Sequence, residues 1–318
     1  MPSFFNMAKS LKPILKPQLL IGLFLILVSI NVRAELNVVI VEGLGGETTY
    51  QQQFNKEAIA IQRVSIGLTN ADKVQWLTGS TATRAQIMAV MKQLATTLKP
   101  EDRLALYLIG HGSYDGYAYK FNLSGTDLSG AELSTMLNNI KADHQMVVAS
   151  GSSSGALQDV LKKDSRIVVT ATRSGNERNI TQFGRYFADA LLDENADTDK
   201  NARINVQEAF DLTVRKVKDY YAAESRLATE HPQLSGMHAT VFNISQLAGA
   251  QAQSTAINPS VIAQREQLTS QLDELRLRKD SLSEEVYMQQ LETLLLQLAE
   301  LDAGIDAGAV HTTSEVTP

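Results

Sequence analysis

The residues able to do chemistry sit in short polar stretches, each following an apolar run. His111 stands between two glycines after Leu104–Ile109 (LALYLI). A serine-rich loop, Ser150–Gly155 (SGSSSG), follows Met146–Ala149, and Arg173-Ser174-Gly175 follows Arg166–Thr172 (RIVVTAT). Histidine carries protons near neutral pH. A serine hydroxyl attacks a carbonyl only when a base takes its proton, and a guanidinium grips carboxylates. Each stretch also has a plain structural reading. A Gly-His-Gly turn can simply end a strand, a serine–glycine run can be a flexible loop, and Arg173 serves a surface ion pair as readily as an acidic substrate group.

A further stretch has the spacing of a calcium loop. Asp197, Asp199, Asn201, Asn205 and Glu208 fall at positions 1, 3, 5, 9 and 12, and Arg203 would offer its carbonyl at position 7. Ala202 stands where glycine is expected; a left-handed backbone there would cost about 1 kcal/mol. The alternative is an acidic, solvated loop capping the helix from Val206. The other histidines, His144, His231, His238 and His311, have no paired ligand spacing. The absence of cysteine excludes disulfides, thiolate metal sites and a cysteine nucleophile.

Positioning these groups requires strands and helices in alternation. Leu36–Val41, Leu104–Ile109, Met146–Ala149 and Arg166–Thr172 read as buried strands. Helices are expected from about Thr48, from Thr83 as cap, over Leu128–Ile140, over Phe183–Leu192 and over Val206–Tyr221. Gly43-Leu-Gly-Gly46 is not G-x-G-x-x-G, because the sixth position is Thr48. Alternation of this kind predicts an α/β layer structure with a mainly parallel sheet, and sites in such sheets gather at the strands' carboxyl ends. His111, the serine loop and Arg173 all fall there.

The chain has 318 residues and a formal charge of -6, enough for one large domain plus an appendage. Residues 1–34 read as a signal peptide, with Lys9, Lys12 and Lys16 ahead of the apolar run Leu19–Ile30 and Val32-Arg33-Ala34 as cleavage site. An uncleaved anchor is the alternative. Cleavage would remove four basic and no acidic side chains, leaving 25 basic against 35 acidic. That balance speaks against nucleic acid as a partner. The expected location is the periplasm or the exterior. Residues 35–246 form the main domain and 247–260 a linker. Residues 261–306 form a helical hairpin of coiled-coil character, and 307–318 a disordered tail. The hairpin sets Leu268, Leu272 and Leu275 beside the heptad seam Tyr287, Leu291, Leu294, Leu298 and Leu301. Ser281 with Glu284 offers a capping box.

The order of LALYLIGHGS, a helix, and then QMVVASGSSSGAL resembles the legumain-type family of caspase-like cysteine peptidases. VVTATRSGNERN and ADTDKNARINVQEAF resemble its bacterial members, and the resemblance spans roughly 36–246. It implies a caspase-like three-layer sandwich. It further implies that His111 handles protons, that Ser152 occupies the nucleophile position, and that backbone N–H groups of Gly112 and Ser152 form an oxyanion hole. In this family the nucleophile is a cysteine; here it is a serine, which needs a stronger base arrangement. Asp115 and Asp102 are the acidic residues near His111 in sequence. Two functions follow. The first is a peptidase homologue hydrolysing peptides with His111 and Ser152, Arg173 and Ser174 contacting substrate. The second is a non-catalytic exported binding or scaffold protein that keeps the peptide cleft. Calcium is the one cofactor expected, and a homodimer or partner contact through the hairpin accompanies either.

Overall fold

The computed structural model describes residues 34–247 and 259–312. The chain enters with β1 (Leu36–Glu42), α1 (Thr48–Leu68), β2 (Val74–Leu77) and α2 (Arg84–Thr97). Next come β3 (Arg103–Ile109), the small strands β4 (Gly112–Tyr114), β5 (Tyr119–Phe121) and β6 (Leu128–Ser129), then α3 (Gly130–Asn138) and β7 (His144–Ala149). They are followed by α4 (Leu157–Leu161), β8 (Arg166–Thr170), α5 (Phe183–Ala190), β9 (Arg203–Asn205) and α6 (Val206–Ala223). Two short strands, β10 (Gln233–Ser235) and β11 (Asn243–Gln246), precede helices α7 (Pro259–Leu277) and α8 (Glu284–Thr312).

Six strands form the central sheet in the order β10-β8-β7-β3-β1-β2. All neighbours are parallel except β10 on β8. The expected mainly parallel α/β sandwich is therefore present. Alternation along β1 explains the layers. Leu36, Val38 and Ile40 pack with Phe54, Ala58 and Ile61 of α1 and with Phe183 and Phe187 of α5. Val39 and Val41 join Ile87, Met91 and Leu94 of α2 and Leu133 and Leu137 of α3 on the opposite face. Burying one such side chain is worth about 1.5–3 kcal/mol, so a one-residue slip of β1 would undo both layers.

Helix starts follow the sequence cues with small shifts. Thr83 caps α2 by accepting from the Gln86 N–H. Ser129 begins α3 through a reciprocal capping box with Glu132, two residues into the helix predicted from Leu128. In the hairpin Leu268, Leu272 and Leu275 are buried, while Tyr287, Leu291, Leu294, Leu298 and Leu301 are half-buried. Ser283, rather than Ser281, caps α8, accepting from the Val286 N–H at 3.4 Å, because Lys279–Ser281 is taken up in a 3-10 turn. Helix α8 continues through 307–312, where the sequence reading has a disordered tail; no proline intervenes before Pro318. All of the expected leader 1–34 except Ala34, and most of the linker (248–258), lie outside the described residues. No described helix is long and apolar enough to cross a membrane.

Candidate active site

Parallel strands bring their carboxyl ends to one edge. Main-chain bonds lock these ends together: Gly43 N–H to the Ile109 carbonyl (2.8 Å), Ser150 N–H to Leu108 (3.0 Å) and Ala171 N–H to Ala149 (3.1 Å). His111, the serine loop and Arg173 leave the sheet just beyond those bonds.

The His111 ring is held between the edges of Tyr50 and Phe54 on α1, at centroid distances of 5.5 and 5.1 Å. Its Nε2 lies 3.2 Å from the Gly45 carbonyl. A carbonyl only accepts, so Nε2 is the donor in this contact, and Nδ1 is the nitrogen that holds the lone pair whenever the ring is neutral. Neither acidic neighbour in sequence reaches the ring. Asp102 sits before β3, at the opposite end of that strand from His111, and accepts from the Glu35 and Lys99 N–H groups. Asp115 accepts from the Tyr117 and Ala118 N–H groups in the β4–β5 turn, which holds its carboxyl below the usual range.

Gly112 has the backbone freedom that an oxyanion donor needs. The Asn122 N–H bonds the His111 carbonyl at 3.0 Å, so that pair is the hydrogen-bonded one. The next pair, Gly112 with Phe121, is then a non-bonded pair, and the Gly112 N–H turns away from β5. A side chain at Gly112 would collide with the Ser152 carbonyl and stand 2.6 Å from the Tyr119 hydroxyl. A side chain at Gly151 would strike the Gly110 carbonyl and lie 3.2 Å from the Gly112 nitrogen. Glycine at both positions lets the histidine turn and the serine loop touch backbone to backbone.

The three central serines have different roles. Ser154 is structural: its hydroxyl accepts from the Ala171 and Thr172 N–H groups. Ser153 is fully buried in the left-handed region, with φ 57 and ψ 5. Its N–H bonds the Glu177 carbonyl at 2.8 Å, and its hydroxyl is enclosed with no partner. Gly151–Gly155 reads G-x-S-x-G with Ser153 at its centre, between a strand and a helix as in a nucleophile elbow. An enclosed oxygen cannot meet a substrate, however, which leaves Ser152 as the reachable hydroxyl. Ser152 is 5% exposed, and its Oγ has no hydrogen bond with a described residue, His111 included.

Arg173 projects from the end of β8 with its side chain 65% exposed and its guanidinium 3.4 Å from Glu177. Glu177 also accepts from the Arg173 N–H (2.9 Å) and from His231 Nδ1 (2.6 Å). Ser174 accepts from the Asn176 N–H and shapes the turn. A side chain at Gly155 would run into the Arg173–Ser174 backbone, which places this wall directly beside the serine loop.

In the acidic loop, Asp197, Asp199 and Glu208 bring one oxygen each within 4.8 Å of the others. Burial first, and then repulsion from Glu208 and Asp197, raises the Asp199 carboxyl. Ala202 is left-handed at φ 61, the conformation its place in the loop implies. Asn201 Oδ1 accepts from the Arg203 N–H. Asn205 caps α6 by accepting from the Glu208 N–H, and Glu208 returns the bond. The loop is thus both an acidic cluster and a helix cap.

Four groups escaped the sequence reading. Glu177 and His231 are 54 residues apart and form one pair. Glu42 and Gln51 meet at 2.6 Å. The Tyr119 hydroxyl is enclosed without a partner against Gly112. Glu57 is 4% exposed and lines a cavity of ≈ 10 Å³ with Tyr107, Ser150, Gly184 and Phe187, at the lower limit for one water. Burial is the main cause that pushes its carboxyl up to about 7. Glu57 did leave a signal: it is an acidic residue inside the stripe Phe54, Ala58, Ile61.

The sandwich, with a histidine and a serine loop at the carboxyl ends of adjacent strands, defines a caspase-like architecture. The model of the peptidase C13 family, the legumain family, matches residues 66–240, more than half of the chain, and the chain belongs to that family. Among solved structures it is similar to protein GSU0716 from Geobacter sulfurreducens. That likeness has 13% identity and a TM-score of 0.46, over 67% of this chain and 98% of that one. No curated protein matches it.

Proposed function

We propose that the protein hydrolyses peptide bonds, with Ser152 as nucleophile and His111 as base and acid. The observation that carries this reading is the contact of His111 Nε2 with the Gly45 carbonyl at 3.2 Å, which leaves Nδ1 as the nitrogen to take a proton. As Ser152 Oγ bonds to the scissile carbonyl carbon, its proton passes to Nδ1. The carbonyl oxygen becomes an oxyanion, for which the Gly112 and Ser152 N–H groups are the donors. His111 then protonates the departing amine, and water releases the acyl group by the reverse transfers. Arg173 offers its exposed guanidinium to an acidic group of the substrate, beside Ser174. The test is reaction of the mature protein with a fluorophosphonate, mapped by peptide mass spectrometry. Labelling at Ser152 that is lost in His111→Ala supports the reading; labelling at another residue ends it.

One observation favours a second reading, a binding protein that holds peptides without turnover: Ser152 and His111 share no hydrogen bond, and among the described residues no carboxylate bonds the ring. Peptide capture with no labelling of Ser152 would select it. The hairpin would then serve as contact surface for a second copy or a partner, since Met288, Leu295 and Leu296 remain exposed on α8. Deleting residues 259–318 and comparing mass by light scattering tests this; a monomer both before and after deletion, with an unchanged melting temperature and no lost partner, would end it. Both readings place the protein outside the cytoplasm after cleavage behind Ala34, which N-terminal sequencing from Glu35 checks. We also assign weak calcium binding to Asp197, Asp199, Asn201, Arg203, Asn205 and Glu208, on the convergence of the three carboxylates.

A further inference from the structure

We infer that Glu42 and Gln51 are positioning residues for His111, acting through the Gly45 carbonyl. The inference rests on the reading of His111 as the proton carrier and supplies what Asp102 and Asp115 do not. His111 Nε2–H donates to the Gly45 carbonyl at 3.2 Å. The Gly45 N–H donates to Gln51 Oε1 at 2.9 Å. Gln51 Nε2–H donates in turn to Glu42 Oε1 at 2.6 Å. The other Glu42 oxygen accepts from Thr78 Oγ at 2.8 Å and from Asn55 Nδ2 at 3.3 Å.

The chemistry of the donors makes this chain directional. A carboxylate only accepts and a backbone N–H only donates. Set between them, the Gln51 amide has one orientation that satisfies both, nitrogen toward Glu42 and oxygen toward Gly45. Glu42 is itself held at the end of β1, 2% exposed. Its donors come from two elements: Gln51 and Asn55, one turn apart on α1, and Thr78 just past β2. Gly45 is pressed onto α1 so closely that a side chain there would meet the Gln51 backbone and lie 2.9 Å from its Cβ. The Gly45 carbonyl also accepts from the Glu47 N–H at 2.8 Å, which fixes the turn. In Ser-His-Asp enzymes a carboxylate touching the imidazole selects its tautomer and orientation. Here a carbonyl makes that contact, and the buried carboxylate sets the carbonyl's place from two bonds further back. Glu42 and Gln51 do not touch the reacting atoms.

The experiment uses the full chain with ¹³C,¹⁵N-labelled histidine, the His111 signal among the five being assigned by its loss in His111→Ala, alongside the rate of fluorophosphonate reaction at Ser152. In wild type the His111 signal should be that of the Nε2-protonated tautomer. Gln51→Ala should give a mixture of tautomers. Gln51→Glu, which faces Glu42 with a second acceptor, should do the same. Either should slow labelling, on the order of 10²-fold for a misplacement near 1 Å. The double variant Glu42→Gln with Gln51→Glu reverses donor and acceptor between the two side chains and should restore the wild-type spectrum. Should Gln51→Ala not fold, Glu42→Gln alone removes the directing carboxylate and reads the same signal. An unchanged tautomer in folded Gln51→Ala and Gln51→Glu overturns the inference, as does an Nδ1-protonated wild type. A wild type that is never labelled at Ser152 removes the peptidase reading only, because the tautomer is measured without turnover.

Discussion

The two halves of the site are built differently. On the histidine side one chain of hydrogen bonds runs back from the ring, His111 to Gly45, Gly45 to Gln51 and Gln51 to Glu42, with aromatic rings of Tyr50 and Phe54 against the imidazole. On the serine side the backbone is tightly packed, yet Ser153 has an enclosed, unpartnered hydroxyl and Ser152 Oγ bonds no described residue. On the proposed reading, the histidine is held in place and the serine is not. The limit on that chemistry would then lie with the serine: its hydroxyl would have to find its base unaided, whereas a thiol beside a histidine ionises readily.

The seam between the halves is where the largest effect is expected. Gly112→Ala puts a methyl group into the Ser152 carbonyl and the Tyr119 ring. Overpacking of this kind costs about 1–3 kcal/mol. Thermal unfolding should show the loss, and labelling at Ser152 should disappear because the oxyanion donor moves. Wild-type labelling in Gly112→Ala would show that the two halves work independently.

A comparable effect, of opposite sign at neutral pH, is expected beneath the site. Glu57 lies on α1, the helix that clamps His111, and lines a small cavity with Ser150 of the serine loop. Asp189 and Arg185 act on it by charge, the first raising and the second lowering its carboxyl. Its carboxyl titrates near 7 in the folded chain against an ordinary 4.5. The folded state thus favours the protonated form. The stability this group contributes is full below about 4.5 and is lost as pH rises to about 7. The loss amounts to about 3 kcal/mol at 1.36 kcal/mol per pH unit. Glu57→Gln should match wild type near pH 4 and melt higher at pH 8, by on the order of 5–10 °C. Equal melting temperatures at pH 8 would mean that the cavity stabilises the ion.

The acidic loop is remote in the chain from both halves and should respond least. Millimolar calcium should raise the melting temperature by a few degrees, equivalent to about 1 kcal/mol for a site of roughly millimolar affinity or slightly better. Asp199→Ala should abolish the rise. With no rise in wild type, Asp197, Asp199 and Glu208 serve α6 as its cap alone.

How much of this could be read in advance depended on whether partners are close in sequence. β1, β3, β7 and β8 are continuous apolar runs because both faces of each are covered, and each was legible. β2 was not: its residues Val74–Leu77 are all half-buried at the sheet edge, and Gln75 interrupts the run. His111 and the serine loop stood out because glycine brackets each of them. The acidic loop was legible because its spacing is local. The groups that set the site were hidden by distance. Glu42 meets Thr78 across 36 residues and Glu177 meets His231 across 54, and a single sequence has no local mark for such pairs. Asp102 and Asp115 were close in sequence and proved to serve turns instead.

The assignment of Ser152 as nucleophile, with His111 as its base, is tested most directly by one rate series. Hydrolysis of a peptide substrate, or modification by a peptide chloromethyl ketone, should be compared at pH 8 for wild type, Ser152→Ala and Ser152→Cys. At that pH an ordinary thiol near 8.5 is already roughly a quarter ionised. The expected order is cysteine fastest, by about tenfold or more over serine, with alanine at background. A rate in Ser152→Ala equal to that of an active wild type would contradict the assignment.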